Sequence, residues 1–215
     1  MRRAIRAFDR WLSDLEGVFL FSQDPQGLIR LRWAHVDRDI PLVEGRVPRG
    51  TRILELHLWN DHLPPMPEEG PDLAWAAKLG RRFVGSLRRL ARELRTNPAY
   101  ADVPAVRGTT VLLNPADPSG GESLMVRLGF ATRPVPRSLW GFGDFWENFY
   151  SWWLMWAYNE EALRGRGMLR LRRVDIWISR ERLIAMYGRE PSAAEAAGLG
   201  PGEPAPPSRA KGAAR

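Results

Sequence analysis

The 215-residue chain has no cysteine. That excludes a disulfide framework, a thiolate zinc site and a cysteine nucleophile, and it leaves the redox compartment open. Lysine is almost missing too, since of 32 basic residues only Lys78 and Lys211 are lysines. Such an arginine bias, beside abundant Ala, Gly and Pro, fits the codon usage of a GC-rich genome, so a net charge of +7 is weak evidence for a polyanionic partner. No helix-turn-helix, zinc-finger or RNP signature accompanies the charge, and nucleic acid is not an expected partner. No apolar run approaches the ~20 residues of a membrane-spanning helix; the longest runs from Ser151 to Tyr158. The N-terminal MRRAIRAFDRW is interrupted by charges every few residues and does not read as a secretory signal. These absences predict a soluble, cytoplasmic protein without a transmembrane segment. Catalytic signatures are equally scarce: there is no GxSxG elbow, and SGGES at Ser119 to Ser123 lacks the lysine of a phosphate-binding loop.

What the chain has is a 44% hydrophobic content, enough to bury a real core. A single domain over residues 1–188 is expected, followed at 189–215 by an Ala/Pro/Gly tail without periodicity that should be disordered. The stretch around which the rest is organised is Arg52 to Pro65, RILELHLWNDHLPP. Leu54, Leu56 and Leu58 alternate with Glu55, His57 and Trp59, the period of a strand with two unlike faces. Asn60, Asp61 and His62 follow, and Pro64 and Pro65 stop the ladder.

The flanking segments read as follows. Ile5, Phe8, Leu12 and Leu15 predict an amphipathic helix over residues 3–15. Val18 to Phe21 and Leu28 to Trp33 read as an antiparallel hairpin across SQDPQG, and a polar loop runs on through Val43. Pro71 and Asp72 start a helix over 72–96, whose apolar stripe is Leu73, Ala76, Gly80, Phe83, Leu87, Leu90 and Leu94. Lys78, Arg81, Arg82, Arg88, Arg89, Arg92 and Arg95 occupy its other side. Val106 to Leu113 reads as a strand, Glu122 to Leu128 as a short helix closed by Gly129, and Phe130 to Val135 as an edge strand because of its prolines. Phe142, Phe145, Phe149, Trp152, Trp153 and Trp156 trace one face of a helix over 139–163, read as core. Val174 to Ile178 is a last strand, and Ser179 caps a terminal helix that ends at Gly188. The fold class is α+β: a mainly antiparallel mixed sheet covered by the long basic helix and the aromatic-rich helix.

The candidate catalytic residues are His57 and Glu55, because an imidazole beside a carboxylate can act as a general base. Trp59, Asn60, Asp61 and His62 are candidate ligand-binding residues, Trp59 as a platform for a sugar or another ring. Arg81, Arg88 and Arg92 are candidates for an anionic ligand or surface. A bland reading stands beside each: a half-exposed strand face with a capped exit loop, and a solvated basic helix face. His57, His62 and Asp61, with or without His35, match no established ligand spacing, so neither a metal nor a cofactor is expected.

Several signatures together resemble the YkoP-like domain of bacteria. They are the glycine turn before ILELHLWNDHL, the arginine-rich helix after it, LMVRLGF, the aromatic stretch leading into AYNEEALR, and the closing VDIWISRERLIAMYG. The likeness spans roughly residues 15–188. That family, uncharacterised in function, occurs alone and behind polysaccharide deacetylase domains. The resemblance therefore implies an accessory or ligand-binding domain linked to cell-envelope polysaccharide metabolism, with a small-molecule or saccharide ligand and a polysaccharide-modifying enzyme as partner. No deacetylase metal motif is present. The order ILELHLWN, KLGRRFVGSLRRLA, GTTVLL, LMVRLGF is also similar to the GNAT acyltransferase fold, which implies an acyltransferase as the alternative. The match departs from that superfamily's glycine-rich turn at the helix start, since Gly80 and Gly85 fall inside the helix. A binder of an anionic surface through the basic helix is the third reading.

Overall fold

The computed structural model describes Trp11, residues 15–65, 67, 69, 72–110, 121–135 and 174–189. In chain order the strands are β1 (Ile29–His35), β2 (Ile40–Leu42), β3 (Gly45–Val47), β4 (Arg52–Leu58), β5 (Ala105–Thr110), β6 (Ala131–Pro134) and β7 (Val174–Ser179). Five of them form one sheet in the order β1-β4-β5-β7-β6, while β2 and β3 pair only with each other. The organising stretch is thus an interior strand, antiparallel to β1 and parallel to β5. The remaining pairs, β5 with β7 and β6 with β7, are antiparallel. This is the mixed, mainly antiparallel α+β architecture that the sequence predicts.

A parallel pair cannot be joined by a tight turn and needs a crossover. It is supplied by α1 (Leu73–Thr96), capped by the Asp72 carboxylate, which accepts from the Trp75 N–H at 2.6 Å, and ended at Asn97. The helix lays Leu87, Leu90, Ala91 and Leu94 on the sheet, all fully buried, with Phe83 and Val84 packed beside them. Each leucine contributes about 2 kcal/mol of burial. The apolar stripe does not stay buried along its whole length: Leu73 is 87% exposed, and Ala76 and Gly80 are exposed as well. A helix of 24 residues is about 36 Å long, whereas a seven-residue strand spans only about 23 Å, so the first turns overhang the sheet.

Two further corrections concern the N-terminal third. The hairpin expected from Val18 to Trp33 reduces to a single bridge between Phe19 and Leu31, and the partner of β1 along its length is β4. The supposed polar loop through Val43 contains β2 and opens the β2–β3 ribbon, which places Ile40 and Val47 in a second core cluster with Val36, Ile53, Ala105 and Trp177. Strands of three residues are too short to display an alternation, and single apolar residues among Arg, Asp and Pro carry no period. The sheet is therefore covered on both faces, and all six residues of β7 are buried.

The described segments of the C-terminal half follow the pattern of the sequence, with the strand expected over 106–113 described as β5 up to Thr110. The helix α2 (Gly121–Arg127) is closed by Gly129, whose φ of 86° suits a residue without a Cβ, and β6 follows at the edge. Ser179 caps α3 (Arg180–Tyr187) by accepting from the Arg182 N–H at 3.1 Å. The Arg180 guanidinium donates to the carbonyl of Leu94 in the last turn of α1 and to those of Tyr100 and Ala101 in the 3-10 turn that follows. Among the described residues no helix is long and apolar enough to cross a membrane. The aromatic helix expected over 139–163, the tail from residue 190 and most of the helix expected over 3–15 lie outside the described residues.

Candidate functional site

Strand alternation sends Glu55 and His57 to the sheet face opposite α1. Register then decides their neighbours: Arg32 and Arg107 sit directly across from Glu55 on β1 and β5, and Arg30 sits across from His57. Buried at 6% exposure, Glu55 needs compensation, and it is found on both sides. Arg32 Nη2 donates to Oε2 at 2.7 Å, and Arg107 Nη2 lies 3.1 Å from Oε1. Arg107 also places its guanidinium carbon 5.8 Å from the centre of the buried Trp177 ring. The row Arg32, Glu55, Arg107, Trp177 thus crosses four strands. One step along, Thr109 Oγ1 donates to Asp175 at 2.7 Å.

This environment sets the protonation states. Burial alone would raise the Glu55 carboxyl, but the Arg32 hydrogen bond and the charges of Arg107 and Arg32 hold it below its ordinary value. His57 is pushed down to about 4, by burial first and then by Arg32, Arg30 and Arg107, against an opposing pull from Glu55. The imidazole is therefore neutral at pH 7, and its Nε2 has no hydrogen-bond partner among the described residues. The two oxygens of Glu55 face arginines rather than His57, so the geometry is not that of a carboxylate orienting a base.

Beyond β4 the chain turns back. The Trp59 N–H donates to Leu28 O at 2.7 Å, a 3-10 turn covers Asn60–His62, and the His62 ring stacks on Trp59 with centroids 3.5 Å apart at 17°. His62 Nδ1 donates to Gly27 O at 2.9 Å, and its carbonyl accepts from Arg82 Nη1 at 2.8 Å. The structure brings Trp59 and His62 together, so one Trp59 face is already taken and one His62 nitrogen is already spent. Asp61 is exposed beside them. His35 stands at the far end of β1, across from Arg52. Among the described residues no three His, Asp or Glu side chains converge to hold a metal.

The basic helix divides its arginines. Arg82 is bonded to His62 O, Arg89 pairs with Asp24, and Arg95 Nη1 donates to Gly188 O at 2.6 Å. Arg81, Arg88 and Arg92 are exposed; Arg88 and Arg92 border a groove of about 250 Å³ against α3, and Arg81 does not.

Three functional neighbours escaped the sequence reading. Arg32 and Arg107 were invisible as partners of Glu55 because register was unknown, although a glutamate at the centre of an interior strand must meet a cation somewhere. Ser86, mid-helix and 1% exposed, accepts from the Leu28 N–H at 2.9 Å and donates to Arg82 O at 3.0 Å. It ties α1 to the corner from which Trp59 and His62 hang. A hydroxyl inside an apolar stripe was the available signal.

Compared with known proteins, residues 29–187 match the family model described as the YkoP domain. No curated protein and no solved structure gives a significant match.

Proposed function

The chain belongs to the YkoP domain family, and on that premise we propose that it is a non-catalytic ligand-binding domain, accessory to an enzyme that modifies cell-envelope polysaccharide. One observation carries the choice of binding over catalysis: Glu55 is clasped by Arg32 and Arg107 while His57 stays neutral with a pKa of about 4. A general base works best with a pKa near the operating pH, and neither group meets that condition. The acyltransferase alternative is weakened further at the start of α1. The Trp75 N–H, one of the free donors that would hold a cofactor pyrophosphate, is already bonded to the Asp72 carboxylate, and a negative charge sits where a second one would have to bind.

A neutral imidazole beside guanidinium edges suits a ligand rich in hydroxyl groups, which exchanges hydrogen bonds without exchanging protons. The ligand proposed is a saccharide, held by His57 and by Trp59, Asn60, Asp61 and His62 at the end of β4. Its link to the cell envelope rests on the likeness to domains found behind polysaccharide deacetylases. A cytoplasmic location belongs to the same proposal.

Thermal-shift measurements on the full chain test it, with neutral oligosaccharides and acetyl-coenzyme A as parallel ligands. Oligosaccharide should raise the melting temperature of the wild type and leave Trp59→Ala unmoved. Stabilisation by acetyl-coenzyme A alone overturns the reading in favour of the acyltransferase.

A further inference from the structure

We propose that the groove between α1 and α3 is a binding site for a phosphate group, on the opposite side of the sheet from Glu55 and independent of the saccharide reading. Arg88 and Arg92 lie one helical turn apart and enter it from α1; Arg189 enters from just beyond α3. Like charges at this spacing repel one another, so the arrangement is costly unless an anion resolves it. Among the described residues no acid does. Arg89 pairs with Asp24, while among the described residues Arg88, Arg92 and Arg189 have no side-chain partner. Glu93, next to Arg92 in sequence, turns toward the helix end and accepts from Asn97 Nδ2 at 3.2 Å. The carbonyl at the close of α3, Gly188 O, is answered by Arg95 rather than by a groove arginine. Burial, and after it the nearby charge of Arg92, lower the Arg89 pKa even though Asp24 pairs with it.

Shape agrees with charge. Gly85 leaves one wall without a side chain, and a Cβ placed there would meet only Arg89 Nη1, at 3.5 Å. Tyr187 forms the facing wall, with its hydroxyl spent on Leu128 O at 3.0 Å, so it contributes surface rather than a donor. A volume of about 250 Å³ admits a phosphate together with part of the group that carries it. Guanidinium groups offer paired N–H donors in the fork geometry that phosphate oxygens accept, and a dianion offsets more of the three charges than a carboxylate does. The ligand is therefore a phosphate ester or pyrophosphate, supplied either by a soluble metabolite or by a lipid headgroup.

The test is calorimetric titration of the full chain with sodium pyrophosphate, beside co-sedimentation with phosphatidylglycerol and phosphatidylcholine vesicles. Wild type should bind pyrophosphate, more weakly as salt rises. Arg88→Ala combined with Arg92→Ala should weaken binding by at least about tenfold, and Arg49→Ala, an exposed arginine that does not line the groove, should not. Gly85→Leu keeps every charge, improves helix propensity and fills the groove; it should weaken binding as strongly without lowering the melting temperature. Pyrophosphate binding without vesicle binding assigns a soluble phosphate, and vesicle binding displaced by pyrophosphate assigns a headgroup. The proposal is overturned if neither probe binds, if vesicles bind and pyrophosphate does not displace them, or if Gly85→Leu binds as wild type does while the double arginine variant fails.

Discussion

Acidification from about pH 7.5 to about pH 4.5 should destabilise this domain through His57. In the folded chain the imidazole takes a proton only near pH 4, whereas unfolded it does so at its ordinary 6.5. Between these values the unfolded chain binds more protons, so the contribution is fully present above pH 6.5 and is lost as pH falls toward 4. The gap corresponds to about 3 kcal/mol, most of it gone by pH 4.5. Burial is the main cause, with Arg32, Arg30 and Arg107 acting in the same direction and Glu55 against them. Glu55 contributes little to this window, because a carboxyl held below its ordinary 4.5 loses its stabilisation only at lower pH. For a domain of this size about 3 kcal/mol amounts to a fall of roughly 6–12 °C in melting temperature. Circular-dichroism melts of wild type and His57→Gln across the range provide the assay. Glutamine keeps a polar side chain and does not titrate, so the variant should lose most of the pH-dependent fall. Equal slopes for the two proteins would refute the account of a buried, neutral imidazole.

Two other substitutions probe the packing. Ser86→Ala improves intrinsic helix propensity, yet it leaves the Leu28 N–H without its acceptor, so denaturant titration should record a loss of about 1–3 kcal/mol rather than a gain. Leu90→Ala should cost about 2–5 kcal/mol and Leu73→Ala less than about 0.5 kcal/mol, measured by the same titration, because only the first is buried.

Elements with a long period were legible in the sequence. The alternation of Leu54, Leu56 and Leu58 placed β4, and the spacing of Phe83, Leu87, Leu90 and Leu94 placed the buried part of α1. Asp72, Ser179 and Gly129 marked termini because each performs a backbone task that few residue types can perform. What depended on register was not legible. Nothing local tells Arg32 and Arg107 that they will meet Glu55, since their pairing is decided by strands 23 and 52 residues away in the chain. The β2–β3 ribbon was hidden for a different reason. Its two buried residues, Ile40 and Val47, gain their meaning from a cluster that reaches Ala105 and Trp177, far away in the chain. Of the arginines on α1, sequence gave the side of the helix and not the division of labour, which follows from where Asp24, His62 and Gly188 come to rest.

Among the described strands the last to be synthesised, β7, is an interior one. When a ribosome has made β5 and β6, each still has an unpaired flank that only β7 can occupy, and the apolar side of Val106 has not yet met Ile178. A nascent or prematurely terminated chain thus carries an open seam through its middle, exposed to pairing with neighbouring molecules until Val174 to Ser179 emerge and close it.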